Sequence, residues 1–269
     1  MEILTQQPNH FDALHLLGLI SLQRQQLSRG IELITLAIVQ NAKVASAHSN
    51  LANALAAANR LDEALASYDR AIGLDPNFAE AHNNRGNVLL VLKRAEEALR
   101  SFDRAISFIP GYAEVHNNRG NALLALKRID EAVSSFDKAL AIKMDYPEAH
   151  YNRGIALEEK RDASQALASY GQAISLRPSY AEAHFNYGNA LVALDRPEEA
   201  LASYDRAIAL KPSYAEVYNS RSNALAALGR VEEALASYER AISLNGHYAD
   251  AHWNQSCKWA RLQRLNFSN

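Results

Sequence analysis

A period of 34 residues runs through this chain and constrains its fold more than any other feature, since His82 follows His48 by 34 residues. The same step separates the members of a whole column, which contains His48, His82, His116, His150, His184, Tyr218 and His252. Self-similarity at a fixed period of this length is typical of a solenoid, in which each repeat buries its apolar face against its neighbours. The chain is therefore predicted to be a tandem repeat.

Within one period the pattern predicts two helices joined by a short turn. In the segment 79–112, the first helix is expected over about 79–92 and the second over about 96–108, with Lys93-Arg94 between them. Residues that tolerate a left-handed backbone occupy this turn in other repeats, namely Asn59, Asp195 and Gly229. Acidic pairs such as Glu96-Glu97 open the second helix, where they face the positive end of the helix dipole.

These columns resemble the tetratricopeptide repeat family, whose unit is a 34-residue helical hairpin. Six residues of the segment 79–112 match the family pattern: His82, Gly86, Ala98, Phe102, Ala105 and Pro110. The resemblance implies an all-α fold, namely a right-handed superhelical solenoid of tandem hairpins over residues 1–269. The predicted units lie near 11–44, 45–78, 79–112, 113–146, 147–180, 181–214 and 215–248, with a terminal half-unit at 249–269. The unit 11–44 is degenerate, because Gly30 and Ile34 replace the expected alanine and aromatic residue.

Composition and motifs exclude several classes of function. Lys and Arg number 28 against 30 Asp and Glu, so the chain has no basic surplus for nucleic acid to neutralise. The N-terminal residues do not resemble a signal peptide, and no apolar run is long enough for a membrane span, so a cytoplasmic location is expected. Neither a glycine-rich phosphate loop nor a nucleophile elbow is present. We therefore expect no enzymatic activity and no cofactor.

The histidine column invites a metal hypothesis, which its spacing disfavours. Each repeat contributes one histidine, and packed helices lie about 8–10 Å apart, too far for two of them to share a zinc ion bound at about 2 Å. The histidines are predicted to be large packing residues, and no metal site is expected. A column of arginines, Arg85, Arg119, Arg153 and Arg221, is predicted to be structural, with Asp69 and Asp103 in reach on neighbouring second helices.

Two asparagine columns form the main candidate binding site. Counting from the first residue of each unit, helical geometry places positions 4, 7, 8 and 11 on one packed side and positions 2, 6, 9 and 13 opposite. Position 6 carries Asn50, Asn84, Asn118, Asn152, Asn186 and Asn254, and position 9 carries Asn53, Asn87, Asn121, Asn189 and Asn223. An amide both donates and accepts, so such a ladder can hold a peptide backbone. The alternative is that the amides bond across to neighbouring repeats and set the superhelical twist; both roles are compatible.

The unit 147–180 departs from the pattern. Ile155 replaces the position-9 asparagine, and the charged run 158–161 replaces an apolar or small stretch. Tyr151 and Phe185 occupy position 5 of adjacent units, beside the asparagine columns. They are candidate anchors for a peptide, since aromatic residues often carry binding energy at interfaces. The alternative is that both rings pack against the adjoining helix.

These observations predict an interaction scaffold that binds an extended peptide or partner protein. In the tetratricopeptide family the first helices line a concave groove, which the resemblance implies for this chain. The asparagine ladder and the opening segment 10–18 are similar to repeats of O-GlcNAc transferase-like proteins, so the alternative is a substrate-recruiting region of such a glycosyltransferase, with the catalytic domain absent. End-to-end self-association is a third hypothesis, based on apolar residues near both ends: Ile3, Leu4, Trp253, Trp259 and Phe267.

Overall fold

The computed structural model describes Gln7 and residues 9–245. Over these residues the chain forms fourteen α-helices and no strand. The helices are α1 (Phe11–Gln23), α2 (Leu27–Gln40), α3 (Ala45–Ala57), α4 (Leu61–Leu74), α5 (Ala79–Val91), α6 (Ala95–Phe108), α7 (Ala113–Ala125), α8 (Ile129–Ile142), α9 (Pro147–Glu159), α10 (Ala163–Leu176), α11 (Ala181–Ala193), α12 (Pro197–Leu210), α13 (Ala215–Ala227) and α14 (Val231–Leu244). Consecutive helices pair as hairpins 1 to 7, so the all-α fold of tandem hairpins is confirmed. The predicted half-unit 249–269, Asn254 and the apolar residues near both ends lie outside the described residues.

Each hairpin turns on a residue in the left-handed region of the backbone. In hairpin 3 that residue is Lys93, with φ +59°. Its N–H bonds to the Leu90 carbonyl at 2.9 Å, and the next N–H, of Arg94, bonds to the Leu89 carbonyl at 2.8 Å, which is a Schellman motif. The same position is left-handed in every hairpin, at Gln25, Asn59, Lys93, Lys127, Arg161, Asp195 and Gly229. The local backbone therefore overrides the preference of lysine, arginine and glutamine for φ below zero.

The second helix of most hairpins begins with an arginine clasp. Arg94 donates to both carboxylate oxygens of Glu97, at 2.6 and 2.8 Å. This hydrogen bonding lowers the pKa of the Glu97 carboxyl. Equivalent clasps join Arg60 to Glu63, Arg128 to Glu131, Arg196 to Glu199 and Arg230 to Glu233. The acidic pairs predicted to face the helix dipole thus also hold the residue that precedes the helix.

The two helices of a hairpin approach closely because position 8 is small. A Cβ added to Gly86 would lie 2.5 Å from the ring of Phe102, the aromatic residue of its own second helix. Gly120, Gly154 and Gly188 meet Phe136, Tyr170 and Tyr204 in the same way. The close approach predicted for these glycines is confirmed, whereas the predicted packed side was too narrow. Positions 3 and 10, such as Ala81 and Val88, are buried as well, and position 7 is only partly buried.

Hairpin 1 forms despite its degenerate sequence. Helices α1 and α2 pack together with Leu14, Leu33 and Ala37 in their shared core. Gly30, which replaces the expected alanine, leaves no room for a Cβ beside the Leu22 side chain and the Gly18 carbonyl. The glycine therefore suits a closer helix contact than an alanine would allow.

The chain divides into two compact units, the first ending at Ile142 and the second beginning at Lys143. Hairpins 1–4 belong to the first unit and hairpins 5–7 to the second. The division falls in the segment Lys143-Met144-Asp145-Tyr146, where Met144 replaces the proline found at this position in four other repeats. Met144 is 80% exposed. The sequence predicts one continuous array, whereas the structure groups its contacts into two units, and each is described by itself below.

Candidate peptide-binding surface

The histidine at position 4 holds the segment that precedes its own hairpin. His82 Nε2 lies 3.0 Å from the Pro76 carbonyl oxygen, which can only accept, so Nε2 carries the proton. The same bond joins His48 to Ala42, His116 to Pro110, His150 to Met144 and His184 to Pro178. Burial lowers the pKa of His82 and His184, which favours the neutral ring. Among the described residues, no group of three or more histidine, cysteine or acidic side chains could hold a metal ion.

The arginine at position 7 reaches the acidic residue of the preceding second helix, as predicted, and also a serine of its own second helix. Arg85 donates from Nε to Asp69 Oδ1 at 2.7 Å and from Nη1 to Ser101 Oγ at 2.8 Å. Arg119 and Arg221 repeat this geometry, with Asp103 and Ser135 and with Asp205 and Ser237. In hairpin 6, Tyr187 occupies the position of the arginine, and Gly171 occupies the position of its acidic partner. The tyrosine ring lies against the glycine. The polar link is therefore replaced there by a packing contact.

In the first unit the asparagines bond to one another across repeats. Asn84 donates from Nδ2 to Asn53 Oδ1 of the preceding hairpin at 3.1 Å. The same Asn53 oxygen accepts from the hydroxyl of Tyr68, which is 2% exposed. Asn50 likewise faces back, with Nδ2 at 3.1 Å from His15 Nε2. Asn50, Asn53 and Asn84 are therefore half-buried members of a structural network, and among the described asparagines at positions 6 and 9 only Asn223 is exposed.

Position 5 completes this network, which the sequence analysis did not include. Asn83 donates to Asn84 Oδ1 at 3.1 Å and accepts from Asn118 Nδ2 at 3.1 Å. Asn117 donates in turn to Asn118 Oδ1 at 3.4 Å. Both Asn83 and Asn117 are buried. Hydrogen bonds thus run without a break from Asn117 to the Asn53 oxygen. The amides therefore bond across to neighbouring repeats, as the alternative interpretation expected.

The aromatic residue at position 24 decides whether a position-9 asparagine is satisfied. Where it is tyrosine, its hydroxyl donates to the asparagine oxygen, in the pairs Tyr68 with Asn53, Tyr204 with Asn189 and Tyr238 with Asn223. Hairpins 3 and 4 carry Phe102 and Phe136 instead, which have no hydroxyl. The half-buried side chains of Asn87 and Asn121 consequently have no hydrogen-bond partner among the described residues. Alternation of tyrosine and phenylalanine in this column is the sequence signal for that difference.

In the second unit aromatic rings replace much of the amide network. The Tyr151 ring lies 4.9 Å from the ring of Tyr180, and the Phe185 ring lies 5.2 Å from that of Tyr214. Asn186 Nδ2 donates to the Tyr151 hydroxyl at 3.2 Å. Tyr151 and Phe185 are half-buried, so both pack against neighbours, as the alternative interpretation expected, and both keep an exposed part.

Charged pairs border these rings. The Arg177 guanidinium lies 5.0 Å from the centre of the Tyr180 ring and pairs with Glu148. Lys211 lies 4.5 Å from the centre of the Tyr214 ring and 3.2 Å from Glu182. Burial raises the pKa of both phenols, Tyr180 and Tyr214, to about 12. Glu148 and Glu182, the acids at position 2 of hairpins 5 and 6, are therefore paired with cations. They also lie in the first turn of a helix, where the helix dipole favours negative charge.

Glu158 is a functional candidate that the sequence analysis did not select as a site residue. It stands at position 12 of hairpin 5. The same position in hairpins 2, 3, 4, 6 and 7 is apolar and carries Ala56, Leu90, Leu124, Val192 and Ala226. Its Oε2 accepts from the Tyr170 hydroxyl at 2.5 Å. Burial raises the pKa of the Glu158 carboxyl, although the Tyr170 hydrogen bond opposes the shift. A single acid in an otherwise apolar column is the signal that could have identified it.

Models of known repeats match most of the chain. One, described as a TPR repeat, matches residues 52–92, 120–160 and 222–254. Two others, described as tetratricopeptide repeats, match residues 151–215 and 79–112. The chain belongs to the tetratricopeptide repeat family. Among curated proteins, no sequence matches this tetratricopeptide repeat chain significantly.

Solved tetratricopeptide repeat structures share the fold. YrrB, described as a TPR protein with an unusual peptide-binding site, is 24% identical, with a TM-score of 0.60 over 70% of this chain and 97% of that one. PilW, described as a type IV pilus biogenesis factor, is 22% identical, with a TM-score of 0.71 over 77% of this chain and 96% of that one. A tetratricopeptide repeat protein from Parabacteroides merdae is 17% identical, with a TM-score of 0.69 over 93% and 98% of the two chains. At these identities the similarity establishes the fold alone.

Other expectations from the sequence stay predictions. The similarity to O-GlcNAc transferase repeats, the cytoplasmic location and the peptide-binding role of the asparagines are not tested by these comparisons. None of the helices in the described part of the chain is long and apolar enough to cross a membrane.

Proposed function

We propose that this tetratricopeptide repeat protein is an interaction scaffold that holds an extended peptide on its first-helix face. This name denotes the surface formed by positions 5, 6, 9 and 12 of the first helices. The observation that carries the proposal is the pair Asn87 and Asn121, whose amides have no hydrogen-bond partner among the described residues. The other described asparagines at positions 6 and 9 are engaged by neighbouring groups, whereas at position 5 the Oδ1 of the buried Asn219 has no partner among the described residues.

The spacing of the two amides suits a peptide backbone. They occupy the same position of α5 and α7, the first helices of neighbouring hairpins, and packed helices lie about 8–10 Å apart. An extended peptide rises about 3.3 Å per residue. Asn87 and Asn121 can therefore reach backbone groups about three residues apart. Each half-buried amide offers both a donor and an acceptor, as a peptide group requires.

The cross-repeat network supports this role by orienting the surface before a ligand arrives. Asn83, Asn84 and Asn118 are held by side-chain hydrogen bonds, so they lose little conformational freedom on binding. The peptide-binding site named in the description of YrrB is consistent with a binding role for this fold. The proposed role is binding rather than catalysis, and a glycosyltransferase partner region is not needed to explain the surface.

The test begins with selection of a random dodecapeptide display library on the purified chain. One enriched peptide is then titrated against the wild type and the double variant Asn87→Ala/Asn121→Ala. One amide-to-backbone hydrogen bond contributes about 0.5–1.5 kcal/mol, so the double variant should lose roughly tenfold to a hundredfold in affinity. Circular dichroism should show an unchanged melting curve, because the two amides make no internal hydrogen bond.

The matched control is Asn189→Ala in hairpin 6, where the asparagine accepts from Tyr204. It should lower stability, and it should weaken the same peptide less than the double variant does. Equal affinity of the double variant and the wild type would contradict the proposed site. Failure of the library to yield any enriched peptide would contradict the proposed function as a whole.

A further inference from the structure

We infer that Glu158 and the rings around it form a subsite for a basic side chain, lysine or arginine, of the bound peptide. This inference rests on the proposed function and adds the chemistry that one part of the second unit would recognise. The subsite lies on the first-helix face of hairpins 5 and 6, and Tyr151 and Phe185 are part of it.

Glu158 is a half-buried carboxylate without a cation beside it. Tyr170 donates to Oε2, which leaves Oε1 without a partner among residues 9–245. The nearby cations Arg177 and Lys211 are engaged elsewhere, by Glu148 and Glu182. A carboxylate removed from water is unfavourable unless it is paired. A ligand cation would supply the missing pair.

The rings near the carboxylate add a second attraction for a cation. Tyr170 lies 5.8 Å from the Tyr151 ring, and Tyr204 lies 6.2 Å from the Phe185 ring. Burial and then the charge of Glu158 raise the pKa of Tyr204, a residue of hairpin 6. Cation–π attraction acts within about 6 Å of a ring centroid. Tyr170 and Tyr204 are fully buried, so the exposed parts of Tyr151 and Phe185, which share the first-helix face with Glu158, are the rings that would favour a lysine or arginine over a neutral side chain.

Because Glu158 lies in hairpin 5, the preference for a basic side chain belongs to the second unit. Position 12 is apolar and half-buried in hairpins 3 and 4, at Leu90 and Leu124. A peptide that crosses those hairpins would meet amides and aliphatic carbons. Among positions 5, 6, 9 and 12 of the described first helices, Glu158 is the only acid, so a basic preference should appear at one position of a peptide that binds the second unit.

The experiment repeats the dodecapeptide selection on three chains: the wild type, Glu158→Gln and Glu159→Gln. Glu159 is the adjacent, exposed residue, so its variant removes the same charge without altering the subsite. We expect the wild type and Glu159→Gln to enrich lysine or arginine at one aligned position, and Glu158→Gln to show no such preference. A peptide selected on the wild type should bind Glu158→Gln at least about tenfold more weakly.

A double-mutant cycle tests the contact directly. Replacing the basic residue of the selected peptide by glutamine should weaken binding to the wild type by a similar factor, and should change binding to Glu158→Gln little. Glu158→Leu, which introduces the residue that Leu90 provides at the same position of hairpin 3, serves as a second variant if the Glu158→Gln chain is poorly folded. An unchanged basic preference in the Glu158 variants, or an equal loss in Glu159→Gln, would overturn the subsite while leaving the proposed function intact. Failure to enrich any peptide would overturn both.

Discussion

The two compact units build the same hairpin and line its first-helix face differently. In the first unit, Asn83, Asn84 and Asn118 form a continuous amide network across hairpins. In the second, Tyr151 and Phe185 take position 5 and the polar centre is Glu158. The interior does not follow this change: a glycine faces an aromatic ring in hairpins 3 to 6 alike. Core columns therefore specify the hairpin, whereas the residue types at positions 5, 9 and 12 vary between hairpins without disturbing it.

The largest expected effect concerns what the units share. Ala132 in the first unit and Ala200 in the second are both fully buried where two helices touch. Ala132→Leu and Ala200→Leu should each lower the free energy of unfolding by about 1–3 kcal/mol, because the larger side chain overpacks the contact. Urea unfolding measures both, with the exposed Ala202→Leu as a control that should change stability by less than about 0.5 kcal/mol. A loss in only one unit would break the claim of a common interior.

The second prediction separates structural amides from available ones within the first unit. Asn53→Ala should cost about 1–3 kcal/mol of stability, because the buried Tyr68 hydroxyl and the Asn84 amide both lose their acceptor. Asn87→Ala, at the same position of the next hairpin, should change stability by less than about 0.5 kcal/mol. Thermal melting of the two variants tests the difference. Similar losses would show that Asn87 is also part of the network.

The third prediction concerns the residue at position 24, which is phenylalanine in hairpin 3 and tyrosine in hairpin 6. Phe102→Tyr should place a hydroxyl near Asn87, as Tyr204 does for Asn189 at 2.9 Å. The new hydrogen bond should stabilise the chain by about 0.5–1.5 kcal/mol and weaken peptide binding, because Asn87 is then engaged. Tyr204→Phe is the reverse change and should lower stability by a similar amount. A destabilised Phe102→Tyr chain would show that the buried hydroxyl finds no acceptor in hairpin 3.

The smallest expected effect is the pH dependence of Glu158. Burial raises its pKa above the ordinary 4.5, so the folded chain holds this proton more tightly than the unfolded chain does. Ionisation therefore lowers stability as the pH rises from 4.5 through the folded-state pKa, and the loss persists at pH 7. Glu158→Gln should melt at a higher temperature than the wild type at pH 7, with the gap closing as the pH falls below 4.5. A gap that is independent of pH would contradict an ionised, half-buried Glu158.

Helix positions were accessible from the sequence because they depend on local periodicity. In hairpin 3 the expected helices over 79–92 and 96–108 are observed as Ala79–Val91 and Ala95–Phe108. The acidic partners of the position-7 arginines were predicted as well, because Asp69 and Arg85 keep a constant separation in every ordinary repeat. By contrast, positions 6 and 9 were expected to point away from the packed side, and most of them are half-buried. A helical wheel shows which residues share one side of a helix, but it does not show which of those sides a neighbouring hairpin covers.

The repeat, its two helices and most of its core columns could be predicted from the sequence, because the same residue types recur at 34-residue intervals and fold by local rules. Which asparagines are engaged depends on contacts between hairpins, since Asn84 meets Asn53 across 31 residues and Asn118 meets Asn83 across 35. The same holds for Glu158, whose character comes from Tyr170 and from the absence of a paired cation among the described residues. Hydrogen bonds between side chains depend on distances of a few tenths of an ångström between packed helices, and such distances are properties of the assembled fold.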